Sequence, residues 1–161
     1  MSRKDLEIKV TPSIIDRLLD FEPRISTEPA KSRSKSLQEL KQSVRRDLEW
    51  LLNTRKTVMD VPDTLEEVNN SLAVYGLHDL TGISIKNPKI QKALIEDVEK
   101  TIKTFEPRFL DLKISLEPFD NTDKQLRFKI EARLDVEPTP EPIVFDTVLE
   151  LGSGDFDVKQ R

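Results

Sequence analysis

The stretch NPKIQKALIEDVEKTIKTFEPRFLDLKISL, Asn87 to Leu116, holds two periodicities in succession, and the change from one to the other decides the fold. Asn87 followed by Pro88 opens a helix, since an Asn side chain accepts from the first free N–H groups and proline suits the first turn. Ile90, Leu94, Val98, Ile102 and Phe105 then recur at helical spacing. Pro107 drives Glu106 out of the helical region and ends the pattern. Beyond it Leu110, Leu112, Ile114 and Leu116 alternate with Asp111, Lys113, Ser115 and Glu117, the period of a half-buried antiparallel strand.

The alternation continues downstream. After a turn at Asp120 to Lys124, Leu126, Phe128, Ile130, Ala132, Leu134 and Val136 fall on one face of a second strand. A proline-punctuated connection, Glu137 to Pro142, leads to a third strand whose inward residues are Ile143, Phe145, Thr147 and Leu149, stopped at Gly152. Upstream the pattern is helical. Ser36 and Glu39 form a capping box ahead of Leu37, Leu40, Val44, Leu48, Leu51 and Leu52, a helix running to Asn53. Thr64 and Glu67 repeat the box, Leu65, Val68 and Leu72 supply a stripe over roughly residues 64–75, and Gly76 is placed to end it. A short helix over 12–20 carries Ile14, Ile15, Leu18 and Leu19 on one stripe. Glu22 to Lys35, broken by Pro23 and Pro29, reads as a flexible linker.

The expected architecture is α+β, with N-terminal helices packed on a C-terminal three-stranded antiparallel sheet. Residues 1–35 form the N-terminal helix and linker, 36–158 a single domain, and 159–161 a tail. Composition narrows the function. A net charge of -4 argues against a general nucleic-acid binder, which needs a basic surface. With no cysteine and a single histidine, His78, disulfides, thiolate chemistry and Cys- or His-built metal sites are set aside, and no cofactor is expected. No apolar run approaches the ~18 residues of a membrane span, and Met1 to Val10 lacks a signal-like apolar core, so the chain reads as soluble, cytoplasmic and not inserted in a membrane.

Three strings carry a family likeness. Arg45-Arg46-Asp47-Leu48-Glu49-Trp50-Leu51-Leu52-Asn53-Thr54-Arg55 resembles the central helix of the TssE family of type VI secretion baseplates. Tyr75-Gly76-Leu77-His78-Asp79-Leu80-Thr81-Gly82 resembles that family's Tyr-Gly-Leu-Pro-Asp-Leu-Thr-Gly turn, with His78 in place of proline, and Phe105-Glu106-Pro107-Arg108 resembles its Glu-Pro-Arg motif. The run Glu137 to Thr147 also fits. The resemblance implies a structural wedge subunit with a sheath-like handshake fold and no lysozyme activity, despite the lysozyme-like label carried by phage relatives. It implies that Glu106, Pro107 and Arg108 contact the core bundle of the wedge, and that the third strand, with Phe145, Thr147 and Leu149, belongs to the sheet on which the first sheath ring assembles. The implied partners are the wedge subunits TssF, TssG and TssK and the sheath subunits TssB and TssC, in a particle docked to an inner-membrane-anchored complex.

The residues themselves leave more than one reading. Glu106 and Arg108 form either an interface or a local structural pair, and Arg108, sharing parity with Leu110 and Leu112, needs a carboxylate partner. The duplicate Glu22-Pro23-Arg24 reads as linker. Lys31, Arg33, Lys35, Lys41, Arg45 and Arg46 read as a solvated basic face, Trp50 as core or edge of core, and His78 as a turn residue without chemistry. A peptidoglycan hydrolase needs two carboxylates beside a sugar cleft, and Trp50 and Tyr75 are the only Trp and Tyr here to line one. An anti-adaptor-like regulatory binding protein is the other alternative.

Overall fold

A computed structural model describes residue 10 and residues 12–19, 32–57, 61–62, 64–81, 87–118 and 125–161. The element order is α1 (Ile14–Leu18), α2 (Arg33–Asn53), α3 (Glu66–Asn69), a single 3-10 turn (Leu72–Val74), α4 (Pro88–Phe105), β1 (Phe109–Leu116), β2 (Gln125–Leu134), β3 (Glu141–Glu150) and β4 (Phe156–Gln160). The fold is α+β as expected, but the antiparallel sheet has four strands, ordered β1-β2-β3-β4, where the sequence reading gave three. β4 has only Phe156 and Val158 on its inner face, too short an alternation to register as a strand.

The inward stripe of the sheet, Leu126, Phe128, Ile130, Ala132 and Leu134 of β2 with Ile143, Phe145 and Leu149 of β3, packs against Leu40, Val44, Leu48, Leu51 and Leu52 of α2 and Leu94, Val98 and Ile102 of α4. Fully burying side chains of this kind contributes about 1.5–3 kcal/mol each, and this one cluster joins both long helices to all four strands. α4 begins as expected, with the Asn87 side chain accepting from the Lys89 N–H.

Several local expectations change. α2 is capped by Ser32, three residues before the end of the stretch read as linker, and Ser36 lies inside the helix, donating its hydroxyl to the Ser32 carbonyl. The helix expected over 64–75 is two single turns separated at Asn70 and Ser71, with Leu65 and Leu72 exposed. Gly76 does take a positive φ, 103°, but for a close approach to α2: a Cβ there would sit 2.3 Å from the Thr54 carbonyl oxygen. In β1 the register shifts between Leu110 and Lys113, and Asp111 has φ 51°. The bulge reverses the parity of the strand's first residues. Phe109 therefore faces the core, ring to ring with Phe145 at 6.1 Å, and Leu110 pairs with exposed Arg133 on the other face. The remainder of the predicted linker, Glu22-Pro23-Arg24 and Lys31 included, lies outside the described residues.

Candidate functional site

Glu106 follows α4 with φ -123° and ψ 76°, non-helical as a residue before proline should be. The chain then bends rather than extends, since the Phe109 N–H donates to the Glu106 carbonyl at 3.2 Å. This turn brings the two charged side chains of the motif together. Arg108 donates to both oxygens of Glu106, Nε to Oε1 and Nη2 to Oε2, each at 2.5 Å, a bidentate pair. Nη2 also donates to Oδ2 of Asp47 on α2 at 2.8 Å. Glu106 is 4% exposed, whereas Pro107 stands at the surface. Burial alone would lower the Arg108 pKa; the hydrogen bonds and charge of Glu106, then those of Asp47, outweigh it and hold it above the ordinary arginine value. A guanidinium so placed is a permanent cation.

The chain of charges continues past Asp47. Arg46 donates Nε and Nη2 to Asp47 Oδ1 at 3.1 and 2.9 Å, and its Nη1 pairs with Asp16 Oδ1 of α1 at 2.9 Å. Asp16 in turn accepts from the hydroxyls of Ser13 and Ser43 at 2.5 Å. The order Glu106, Arg108, Asp47, Arg46, Asp16 alternates in sign and ties α4's exit turn, α2 and α1 together. Arg46 also lies over the Trp50 ring, 5.0 Å from its centroid, and Trp50 is 55% exposed rather than core, because the stripe of Leu48, Leu51 and Leu52 points the other way. Tyr75 stacks edge-on against Phe105 at 5.1 Å, and burial, then the charges of Asp47 and Glu106, push its phenol up. Sequence reasoning found Glu106 and Arg108 and missed Asp47, Arg46 and Asp16.

Residues 38–139 match the family described as baseplate wedge protein gp25. The chain belongs to the gp25 baseplate wedge family. TssE belongs to the same family, whose members are structural parts of phage-tail-like baseplates. A comparison with curated proteins gives no match.

The family string on α2 acts through its polar residues as much as its leucines. Arg45 pairs with Glu49 and donates to the Val158 carbonyl, both at 3.1 Å. Asn53 donates to the Phe156 carbonyl at 2.9 Å and accepts from the Phe156 N–H at 2.8 Å, taking the place of a neighbouring strand. Arg55 donates to the Gly154 carbonyl at 3.0 Å and so holds the β3–β4 turn. These contacts close the outer edge of β4 at Phe156 and at the Val158 carbonyl. On β1, the pairing register turns the N–H and C=O groups of Ile114 and Leu116 outward, and among the described residues they meet no hydrogen-bond partner.

Phe145, Thr147 and Leu149 are at most 1% exposed, on the core face of an inner strand flanked by β2 and β4. Their side chains shape the sheet from within and do not reach its surface. Of the basic residues, Arg33 donates to the Glu137 carbonyl at 3.2 Å and Arg45 and Arg46 are engaged as above, so three of the six are structural fastenings rather than a solvated face. His78 is exposed, its Nδ1 3.1 Å from Asp97 Oδ2. Among the described residues no three His, Asp or Glu side chains converge as a metal site, and no helix is long and apolar enough to cross a membrane.

Proposed function

We propose that this gp25-family chain is a wedge subunit of a type VI secretion baseplate, acting by surface complementarity and not by catalysis. The observation that carries the reading is the Glu106-Pro107-Arg108 turn: a buried bidentate pair, braced by Asp47, that lifts Pro107 to the surface. Such a turn is a rigid protrusion, suited to seat against the helical core bundle of the neighbouring wedge subunits, TssF, TssG and TssK being the partners the family likeness implies. The sheet serves as the template for the first ring of sheath subunits, TssB and TssC. Its β1 edge is the better place for an added strand, because the first half of β4 is already occupied by Asn53 and Arg45. An open depression of about 510 Å³ at the β3–β4 end of the sheet carries the carboxylates of Glu150, Asp155 and Asp157 beside Arg127 and Lys159, but neither Trp50 nor Tyr75 lines it to stack on a sugar.

The test is an affinity pulldown of the tagged protein from its own cells, comparing wild type with Pro107→Asp. Pro107 is the right position, since its side chain is exposed and makes no ion pair that folding depends on. Wild type should recover wedge and sheath subunits, and Pro107→Asp should lose the wedge subunits with its melting temperature unchanged within a few degrees. Recovery of no baseplate protein by wild type would overturn the reading.

A further inference from the structure

The Glu106-Arg108 pair leaves part of its arginine unused. Arg108 turns Nε and Nη2 onto Glu106 and Asp47, while Nη1 has no hydrogen-bond partner among the described residues and is not enclosed, unlike Arg33 Nε, which is buried without one. Two more donors gather around the same Asp47. Trp50 stands one helical turn further along α2, 55% exposed, its ring covered on one side by Arg46 and its indole N–H without a partner among the described residues. Tyr75, held edge-on against Phe105, lies close enough to Asp47 and Glu106 for their charges, after burial, to push its phenol up. The phenol therefore stays protonated, and its hydroxyl too has no partner among the described residues and is not enclosed. Guanidinium and indole nitrogens can only donate, and a protonated phenol donates as well. Trp, Tyr and Arg are also the side chains enriched among residues that dominate binding energy.

We propose that Arg108 Nη1, Trp50 Nε1 and Tyr75 Oη form a socket of donors for the C-terminal end of a partner helix, taking main-chain carbonyl groups that such an end leaves unpaired. Charge selects this occupant. The ion chain already holds three carboxylates, Glu106, Asp47 and Asp16, against two guanidiniums, Arg108 and Arg46, so a further carboxylate would meet net repulsion. A partner cation would find Glu106 and Asp47 already engaged by Arg108. A helix end brings up to four carbonyl groups without intrahelical partners, and a partial negative charge of about half an elementary charge. Burying those carbonyls in an interface is costly unless donors meet them, and donors are what this surface has to spare. The inference rests on the wedge role proposed above, since it names the group that the turn's partner brings to it.

The experiment repeats the pulldown from cells with Trp50→Phe and with Tyr75→Phe, which remove the indole N–H and the phenol O–H while keeping an aromatic ring at each position. In a separate strain a photo-crosslinking residue at position 107, beside Arg108, captures whatever segment lies on the turn, and the crosslinked peptide is sequenced by mass spectrometry. Each substitution should lower recovery of wedge subunits by about fivefold, the effect of losing one hydrogen bond, with the melting temperature unchanged within a few degrees. The captured peptide should map to the last turn of a helix in a wedge subunit. Full recovery by both variants, or capture of a helix middle, an acidic loop or a second copy of this chain, would overturn the socket. The wedge role would still stand in that case if Pro107→Asp lost the wedge subunits. Recovery of no baseplate protein by wild type would overturn both.

Discussion

Arg108 is the residue on which the site depends, because it neutralises two carboxylates, one of them the 4% exposed Glu106. Removing a partner from a buried ion pair strands the other charge, at a cost of about 3–5 kcal/mol. Arg108→Ala should therefore lower unfolding free energy by about 3 kcal/mol in urea titrations, near the lower end because the guanidinium is partly exposed. Charge reversal there would unsettle the fold as well as the surface, which makes Pro107 the cleaner probe of binding. Asp16 gives a pH test. Burial raises its pKa, but hydrogen bonds from Ser13, Ser43 and Arg46, and the Arg46 charge, hold it below the usual carboxylate value. Its ionised form therefore contributes stability above about pH 4, lost as pH falls through the depressed folded value. Trp50 fluorescence should report the loss of the Arg46 Nη1–Asp16 pair below that point, with Asp47 still holding the other side of the guanidinium, and Asp16→Asn should remove the transition. The Glu106-Arg108 pair was legible because its members are two positions apart; Asp47, 61 positions from Arg108, carries no spacing signal that marks it as the partner.

Among the elements, the two long helices and the first three strands were legible because each repeats its inward period with at least three apolar side chains, enough for the pattern to exceed chance. The failures have particular causes. One non-glycine residue at positive φ, Asp111, turned Leu110 away from the core, and nothing in an alternating sequence announces a bulge. The 64–75 segment carries two cap-like signals, yet its Leu65 and Leu72 have no core to face, and propensity without burial yields only single turns. β4 is held as much by α2 as by its own sequence. Asn53→Ala removes both hydrogen bonds to Phe156 and should cost about 1–2 kcal/mol, with faster exchange of the Phe156 amide by NMR; an unchanged Phe156 protection factor would show that β4 is held by β3 alone.

At the scale of the whole molecule, one apolar cluster fixes two helices on one face of the sheet and leaves the edges to be settled separately. β4 is fastened by Asn53 and Arg45, β1 presents Ile114 and Leu116, and the Pro107 turn stands at the β1 end of the molecule, immediately before Phe109. That asymmetry was beyond the sequence, since which strand lies outermost and which side chain reaches it depend on contacts about a hundred positions apart. It also makes the baseplate account directly measurable. Hydrogen–deuterium exchange on the free protein and on the same protein within isolated baseplates should show Ile114 and Leu116, and the residues around Pro107, becoming protected on assembly, while Phe156 stays as slow as before. Equal exchange at β1 and at the Pro107 turn in the two states, or new protection confined to β4, would contradict it.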